Sequence, residues 1–230
     1  MRAKHRRAGL ALAPLLVIAA FVIAPAAAQA APHWYKCEHF TAATHNRVDN
    51  QCSEVTTTGH WELKRLAFTS AKTQVVTAGK LTLTWSNGVV IECKVLDAGN
   101  VWNTALAEVG KGNMEVLVFY ECKSGECTTL SIVAEKLPYE TQLEEVVAGT
   151  PRDAIKGIQI TLNCAGTVLT FTGELKPKMI NATASNMPTW AEFDATAGTL
   201  TGPGGLTATS TGHDRIAGFE AWEGIQVKNP

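Results

Sequence analysis

The sequence predicts an all-β domain, and three observations support this prediction. Apolar and polar residues alternate over much of the chain after residue 60, where Thr, Val and Gly are frequent. Turn residues recur at roughly the 8–12-residue spacing that is typical of β-sandwiches and β-barrels. Helical periodicity is weak, and even the best helical window, residues 139–147, contains Thr and paired Val residues that suit a strand. We expect a two-sheet antiparallel sandwich with little or no helix, and a closed β-barrel is the alternative.

The clearest unit is a hairpin that turns at residues 86–88. A two-residue Asn-Gly turn would place the apolar side chains of its two strands on opposite sides of the sheet. A three-residue loop with its glycine in the left-handed conformation pairs Leu83 with Ile91 and Leu81 with Cys93, which brings all of these side chains to one face. We therefore predict the three-residue loop, with Cys93 directed into the core.

A second core-facing row is predicted at residues 157–164. Ile158, Ile160, Leu162 and Cys164 fall on one face, and polar residues occupy the other. Further strands are expected at residues 61–68, 167–175, 199–201, 206–211 and 225–228, with a Gly- and Pro-rich turn at residues 202–205.

The first thirty residues are predicted to be a cleavable signal peptide. Basic residues precede an apolar run, and the small-x-small pattern that signal peptidase recognises follows it at residues 28–30. A single anchoring helix is the alternative, but Pro14 and Pro25 interrupt the run and no stop-transfer charge follows. We expect residues 31–230 to form one disulfide-bonded domain, secreted and either extracellular or associated with the cell wall, in which residues 31–60 are a peripheral segment.

The charge of the mature chain excludes one class of partner. Removing residues 1–30, which hold four Lys or Arg residues and no acid, changes the formal charge from −1 to −5. A nucleic-acid surface needs clustered Lys and Arg residues, so we predict no nucleic-acid partner.

All six cysteines follow the predicted signal peptide, and an even number in an exported chain favours three disulfides. Fifteen pairings are possible in principle. Cys93 and Cys164 each end a row of core-facing residues, and such positions suit a bridge between two packed sheets. We therefore predict a bond between Cys93 and Cys164.

The other two predicted disulfides are local. A hairpin that turns at residues 123–126 places Cys122 opposite Cys127, and the same register matches the apolar residues of its two strands. This agreement predicts a bond between Cys122 and Cys127. By elimination, Cys37 pairs with Cys52 and closes a polar N-terminal loop.

Six short motifs run in order along the mature chain: His33-Trp34-Tyr35-Lys36, Gly79-x-Leu81-Thr82, Ile91-x-Cys93-Lys94-Val95, Leu137-Pro138-Tyr139-x-Thr141, Arg152-Asp153-x-Ile155 and Phe171-Thr172-Gly173-x-Leu175-x-Pro177. In these motifs the chain resembles a group of uncharacterised small exported β-rich proteins from high-GC actinobacteria. The segment with Cys37 and Cys52 is an addition to that pattern. The group has no assigned activity, so the resemblance implies an exported domain and transfers no catalytic residue.

The N-terminal segment holds Cys37 and Cys52 together with four histidines: His33, His39, His45 and His60. Imidazole and thiolate are donors that zinc and copper prefer. The spacings match no standard zinc finger, however, and an oxidising compartment favours a disulfide over free thiolates. We expect surface histidines and predict neither a metal ion nor another cofactor.

A secreted hydrolase is the alternative function, and its candidate groups are Ser131, Ser210, Glu144 with Glu145, Glu92 with Asp153, and the adjacent His213 and Asp214. Neighbours on a strand point to opposite faces, the serines lack a nucleophile elbow, and paired acids on a secreted surface are mostly solvated. We therefore assign no catalytic residue and favour a protein that is not an enzyme.

The tryptophans are numerous for an acidic β-domain: Trp34, Trp61, Trp85, Trp102, Trp190 and Trp222. Trp85 belongs to the predicted core. Trp102 and Trp190 lie in turn-rich segments and are candidate ligand contacts, because indole rings stack on sugar faces, with core packing as the alternative. We predict a non-catalytic binding or structural domain outside the cytoplasm, whose partner is an envelope glycan or a protein, and no membrane contact after signal cleavage.

Overall fold

The computed structural model describes residues 31–69, 71–144, 150–183, 188–219 and 223–228. The predicted signal peptide, residues 1–30, lies outside the described residues. Within them the chain is all-β, as the sequence predicts, and the helical content is a single 3₁₀ turn at Pro203–Gly205. No helix among the described residues is long and apolar enough to cross a membrane.

Eleven strands of the described chain form one large antiparallel sheet: β5 (Thr73–Trp85), β6 (Val90–Trp102), β7 (Lys111–Lys123), β8 (Leu130–Glu135), β9 (Tyr139–Glu144), β10 (Arg152–Cys164), β11 (Thr167–Leu175), β12 (Lys178–Ile180), β13 (Trp190–Phe193), β14 (Thr199–Thr201) and β15 (Thr207–Gly218). Five further strands form a small sheet in the order β16-β1-β4-β2-β3: β1 (His33–His39), β2 (His45–Arg47), β3 (Val55–Gly59), β4 (Trp61–Arg65) and β16 (Ile225–Lys228).

The large sheet closes into a barrel because β15 pairs with β5 along eleven residues. Long strands β5, β6, β7, β10 and β15 run the length of the wall, and pairs of short strands complete it. At one end β8 lies between β7 and β10, and β11 and β14 join β10 to β15. At the other end β9 lies between β7 and β10, and β12 and β13 join β10 to β15. Eight described strands therefore surround each end. Of the two architectures considered, the structure adopts the closed barrel.

Alternation along the long strands fills the barrel with apolar side chains. The hairpin between β5 and β6 has the predicted register, since Leu83 pairs with Ile91 and Leu81 with Cys93, and Gly88 is left-handed with φ +91°. The predicted row on β10 also faces inward, where Ile158, Ile160 and Leu162 are buried. Trp85 packs against Phe171 in this core, with the two ring centroids 5.3 Å apart.

The first strand is more deeply buried than the predicted peripheral segment would be. Trp34 on β1 is 1% exposed and belongs to the core, where its indole ring lines the barrel interior. Asn103, after β6, fixes this strand with its side chain. It accepts a hydrogen bond from the Trp34 N–H (3.0 Å) and donates to the carbonyls of Trp34 (3.0 Å) and Leu66 (2.9 Å). Part of residues 31–60 therefore belongs to the core.

The three disulfides agree with the prediction at one pair only. Cys37 is bonded to Cys52, as predicted. The predicted bond between Cys93 and Cys164 is wrong, because β7 and β8 lie between β6 and β10 in the wall. Neighbouring strands are about 4.8 Å apart, and a disulfide joins Cα atoms that are at most about 7 Å apart.

Cys93 is instead bonded to Cys122 on the neighbouring strand. The pairing of β6 with β7 is irregular here: Glu92 pairs with Lys123, but Lys94 pairs with Tyr120. Glu121 supplies the extra residue and has φ +49°. This bulge turns Cys122 toward the core face, where it reaches Cys93.

The predicted bond between Cys122 and Cys127 is also wrong. Val118 pairs with Val133, a register two residues away from the predicted one, so Cys122 does not lie opposite Cys127. Cys127 precedes β8 and is bonded to Cys164 at the end of β10. These two strands are neighbours, because Cys164 pairs with Leu130.

We expect Asn103→Ala to lower the free energy of unfolding by about 2–3 kcal/mol, because it removes the partners of buried backbone groups on β1 and at Leu66. Urea unfolding followed by tryptophan fluorescence measures this loss. Asn46→Ala, at an exposed position of β2, is the control and should change stability by less than about 0.5 kcal/mol. Equal effects of the two substitutions would contradict the role of Asn103 in fixing β1.

Candidate functional site

Three aspartates point into the barrel: Asp97 on β6, Asp153 on β10 and Asp214 on β15. We call them the interior cluster. All three line a cavity of about 60 Å³. Asp97 and Asp214, with Ser210, also line a second cavity of about 40 Å³ whose other walls are mainly apolar. Asp97 and Asp214 are 7% and 3% exposed.

The interior cluster has few hydrogen-bond partners. The Thr77 hydroxyl donates to Asp97 Oδ2, and Asp153 accepts hydrogen bonds from the Thr141 hydroxyl and the Gln142 backbone. Within the described residues, Oδ1 of Asp153 and Oδ1 of Asp214 have no protein partner. Since no Lys, Arg or His side chain of the described chain lines either cavity, the carboxyl groups have no cation to offset their charge.

Burial therefore raises the pKa of each carboxyl group. The pKa of Asp97 rises to about 6, and the Thr77 hydrogen bond opposes this rise. Burial is also the largest cause for Asp153 and Asp214, whose pKa values rise to about 7 and about 8, and repulsion from Asp97 adds to both. The interior cluster consequently holds protons in weakly acidic solution.

These cavities are too small for an organic ligand. Small-molecule sites usually enclose about 300–1,000 Å³, whereas one water molecule needs about 10–15 Å³ measured in this way. Among the described residues no group of three or more His, Cys, Asp or Glu side chains could hold a metal ion. The barrel interior is therefore a packed core with buried polar groups.

The groups considered for a hydrolase do not come together in the described chain. Glu92 is exposed on the outer wall, whereas Asp153 faces the interior. His213 is exposed, whereas its neighbour Asp214 is buried, as alternation along a strand requires. Ser131 is exposed on β8, whereas Ser210 is 1% exposed and faces the interior.

Glu144 with Glu145 is the remaining pair of carboxylates that the sequence offers for a hydrolase. Glu144 forms an ion pair with Lys176 at 2.6 Å, and Glu145 lies outside the described residues.

The four N-terminal histidines differ in burial and in the groups that they contact. His33 is fully buried, contrary to the expected surface position, and its Nε2 lies 3.2 Å from the Ala105 carbonyl. His39 stacks on His60 with ring centroids 6.0 Å apart. His45 lies 3.2 Å from the carboxylate of Glu62.

An outer groove of about 410 Å³ lies on the barrel wall and contains one of the predicted ligand contacts, Trp190. It is lined by Ile180, Trp190, Glu192, Phe193, Gly212 and His213. Ala191 and Phe193 are buried, so alternation directs Trp190 and Glu192 outward. Glu192 pairs with His213 on the neighbouring strand, and the rings of Trp190 and His213 have centroids 5.9 Å apart.

The other predicted ligand contact, Trp102, does not line this groove. It is half-buried at the end of β6, and the Lys72 ammonium lies 4.9 Å from the centre of its ring. Trp222 lies outside the described residues. Sequence reasoning did not identify Glu192 as a neighbour of Trp190, although the alternation of residues 190–193 contains that signal.

Comparison of the chain with protein-family models, with curated proteins and with solved structures finds no match. The residues of the candidate site are therefore identified from the geometry of the groove.

We expect the free energy of unfolding to fall as the pH rises from 5 to 8. Each carboxyl of the interior cluster has a folded-state pKa above the ordinary value of about 3.9, so the folded state binds more protons than the unfolded state in this range. Each such group lowers stability by up to about 1.4 kcal/mol per pH unit until the pH passes its folded pKa. Urea unfolding at a series of pH values measures the slope.

Asp214→Asn should make the free energy of unfolding less dependent on pH, because it removes one carboxyl group whose pKa is raised in the folded state. Asp194→Asn is the control, since Asp194 forms an ion pair with Lys178 at 2.5 Å and that bond lowers its pKa. The control should keep the decline between pH 5 and pH 8. Stability that rises over this range in the unsubstituted protein would contradict the raised pKa values.

Proposed function

We propose that the chain is an exported, non-catalytic binding domain that recognises a glycan of the cell envelope through the outer groove beside Trp190. The observation that carries the proposal is the position of the Trp190 ring next to the cross-strand pair Glu192 and His213 on a rigid barrel wall.

Two features support a location outside the cytoplasm. All six cysteines form disulfides, and such bonds persist mainly in oxidising compartments. The leader predicted from residues 1–30 supplies a route of export. The resemblance to exported actinobacterial proteins agrees with this location and leaves the ligand to be inferred from the groove.

The groove has the chemistry that a sugar ring needs. An indole ring offers a flat apolar surface for the C–H face of a pyranose, and such stacking contributes on the order of 1 kcal/mol. The carboxylate of Glu192 accepts hydrogen bonds from sugar hydroxyls, and the imidazole of His213 donates or accepts them. A volume of about 410 Å³ lies within the range of small-molecule sites.

The groove lacks the pair of carboxyl groups that glycoside hydrolysis ordinarily requires. Among its described lining residues Glu192 is the one acid. A second acid, Asp214, follows His213 on β15, but its side chain is directed into the barrel interior and not toward the groove. Hence the geometry favours binding over hydrolysis.

Titration of the purified mature domain with tetramers of N-acetylglucosamine, glucose and mannose, followed by NMR, tests the proposal. We expect weak affinity for at least one tetramer. Trp190→Ala should weaken it about fivefold, which corresponds to one lost stacking contact of about 1 kcal/mol. The melting temperature should change little, because the ring lies on the outer wall.

Trp102→Ala is the matched control and should keep the affinity. Binding of none of the tetramers, or an equal loss in the two variants, would overturn the proposal. Release of shorter sugars that Glu192→Gln abolishes would replace the binding function with hydrolysis.

A further inference from the structure

A second groove on the barrel wall carries three lysines and adjoins the outer groove. It has a volume of about 270 Å³, and we call it the lysine groove after its described charged lining residues: Lys80, Lys94, Lys123, Glu92 and Glu121. The two grooves meet where β15 pairs with β5, because His213 of the outer groove lies directly opposite Lys80. Both side chains are exposed. The two grooves therefore form one continuous surface.

The lysines lie closer to one another than the fold alone favours. Lys80 on β5 lies directly opposite Lys94 on β6, and like charges at opposed positions of neighbouring strands repel each other. Glu121 offsets part of this repulsion through its ion pair with Lys94, in which the two charged atoms are 2.5 Å apart. The hydrogen bond from Lys94 lowers the pKa of Glu121, and attraction to Lys123 and Lys80 contributes in the same direction. One carboxylate is thus shared by three ammonium groups.

The lysine groove keeps a surplus of positive charge. Its other acid, Glu92, pairs in register with Lys123 on β7, but within the described chain these two residues form no ion pair, and Lys80 forms none either. Three lysines against two glutamates leave a formal charge of +1. The ammonium groups of Lys80 and Lys123 can therefore bind an anion without breaking a bond of the folded protein.

We propose that the lysine groove binds an anionic group of the glycan, a carboxylate or a phosphate, while the adjoining outer groove holds an uncharged sugar ring. This inference rests on the glycan function proposed above for Trp190. Neighbouring strands are about 4.8 Å apart, so β5 and β6 lie one and two strand spacings from His213, within reach of a short oligosaccharide. Ammonium groups form charge-assisted hydrogen bonds with the oxygens of both anions.

The acid of the outer groove sets the direction of the ligand. Glu192 lies opposite His213 on β13, on the side away from the lysine groove. Its carboxylate repels an anion and accepts hydrogen bonds from hydroxyl groups. The negative charge of the glycan is therefore expected at the lysines, and its uncharged hydroxyls beside Trp190.

NMR titration of the mature domain with two matched pairs of tetrasaccharides tests the proposal. One pair is tetragalacturonate and its methyl ester, and the other is a glucose tetramer with and without a 6-phosphate. We expect at least one acidic tetramer to bind about fivefold more tightly than its uncharged counterpart. This preference should shrink as the salt concentration rises, because exposed charges are screened. The pair with the larger preference identifies carboxylate or phosphate as the recognised group.

Lys80→Gln and Lys123→Gln should each reduce the preference for the acidic tetramer about threefold, because the charge is lost while most of the side-chain length is kept. Lys156→Gln is the matched control. Lys156 is exposed on β10 and lines neither groove, so this variant should keep the preference.

Two results would overturn the lysine groove as an anion site: equal affinity for the acidic and uncharged forms of both tetramers, or equal losses in Lys80→Gln and Lys156→Gln. If Trp190→Ala still weakens binding in that case, the function proposed for the outer groove stands. Conversely, binding of an acidic tetramer that Lys80→Gln weakens and Trp190→Ala does not would support the anion site and overturn the role of Trp190.

Discussion

The antiparallel pairing of β5 with β15 is the contact on which the rest of the structure depends. It joins strands that are far apart in the sequence, along eleven residue pairs, and turns an open sheet into a barrel. Close approach is possible because Gly79 and Gly212 face the opposite backbone. A Cβ atom at Gly79 would overlap the His213 carbonyl, and one at Gly212 would overlap the Lys80 carbonyl. Closure removes the exposed edges of the large sheet and fixes which side chains are enclosed.

An enclosed interior explains the unusual state of its carboxyl groups. In water an aspartate is ionised at neutral pH, but an ion without a cation in an apolar interior is much less stable than the neutral acid. The interior cluster lies in this environment with few hydrogen-bond donors. The same enclosure leaves no room for an organic ligand inside the barrel, so the recognition that we propose would take place in the outer groove.

Much of the local structure was predictable from the sequence, because it follows from alternation and turn chemistry. The register of the hairpin at Gly88 and the inward row on β10 are examples. The disulfides of Cys93 and Cys164 were not predictable in this way. The bulge at Glu121 switches the face of the sheet to which the following side chains of β7 point, and the sequence gives no signal for it. The order of strands around the barrel depends on contacts between residues that are distant in the sequence. Asp97 lies an even number of residues after Ile91 and Val95 on the same strand, so the same alternation predicts that its side chain points inward.

The outer groove was only partly predictable, for the same reason. Trp190 could be proposed as a ligand contact from its residue type and its polar surroundings. Its neighbour His213 lies 23 residues later in the chain, on β15, and reaches the groove because β15 pairs with β13. Long-range strand pairing, which a single sequence does not reveal, therefore decides both the interior cluster and the groove.

Barrel closure encloses the interior cluster in a packed, largely apolar core. Carbon-13 NMR of the aspartate carboxyl groups, assigned by substituting one aspartate at a time, tests it most directly. We expect Asp97, Asp153 and Asp214 to be largely protonated at pH 5 and to lose their protons between about pH 6 and about pH 8. Ionised carboxylates at all three positions at pH 5 would show that the interior is open to water and is not enclosed by the barrel.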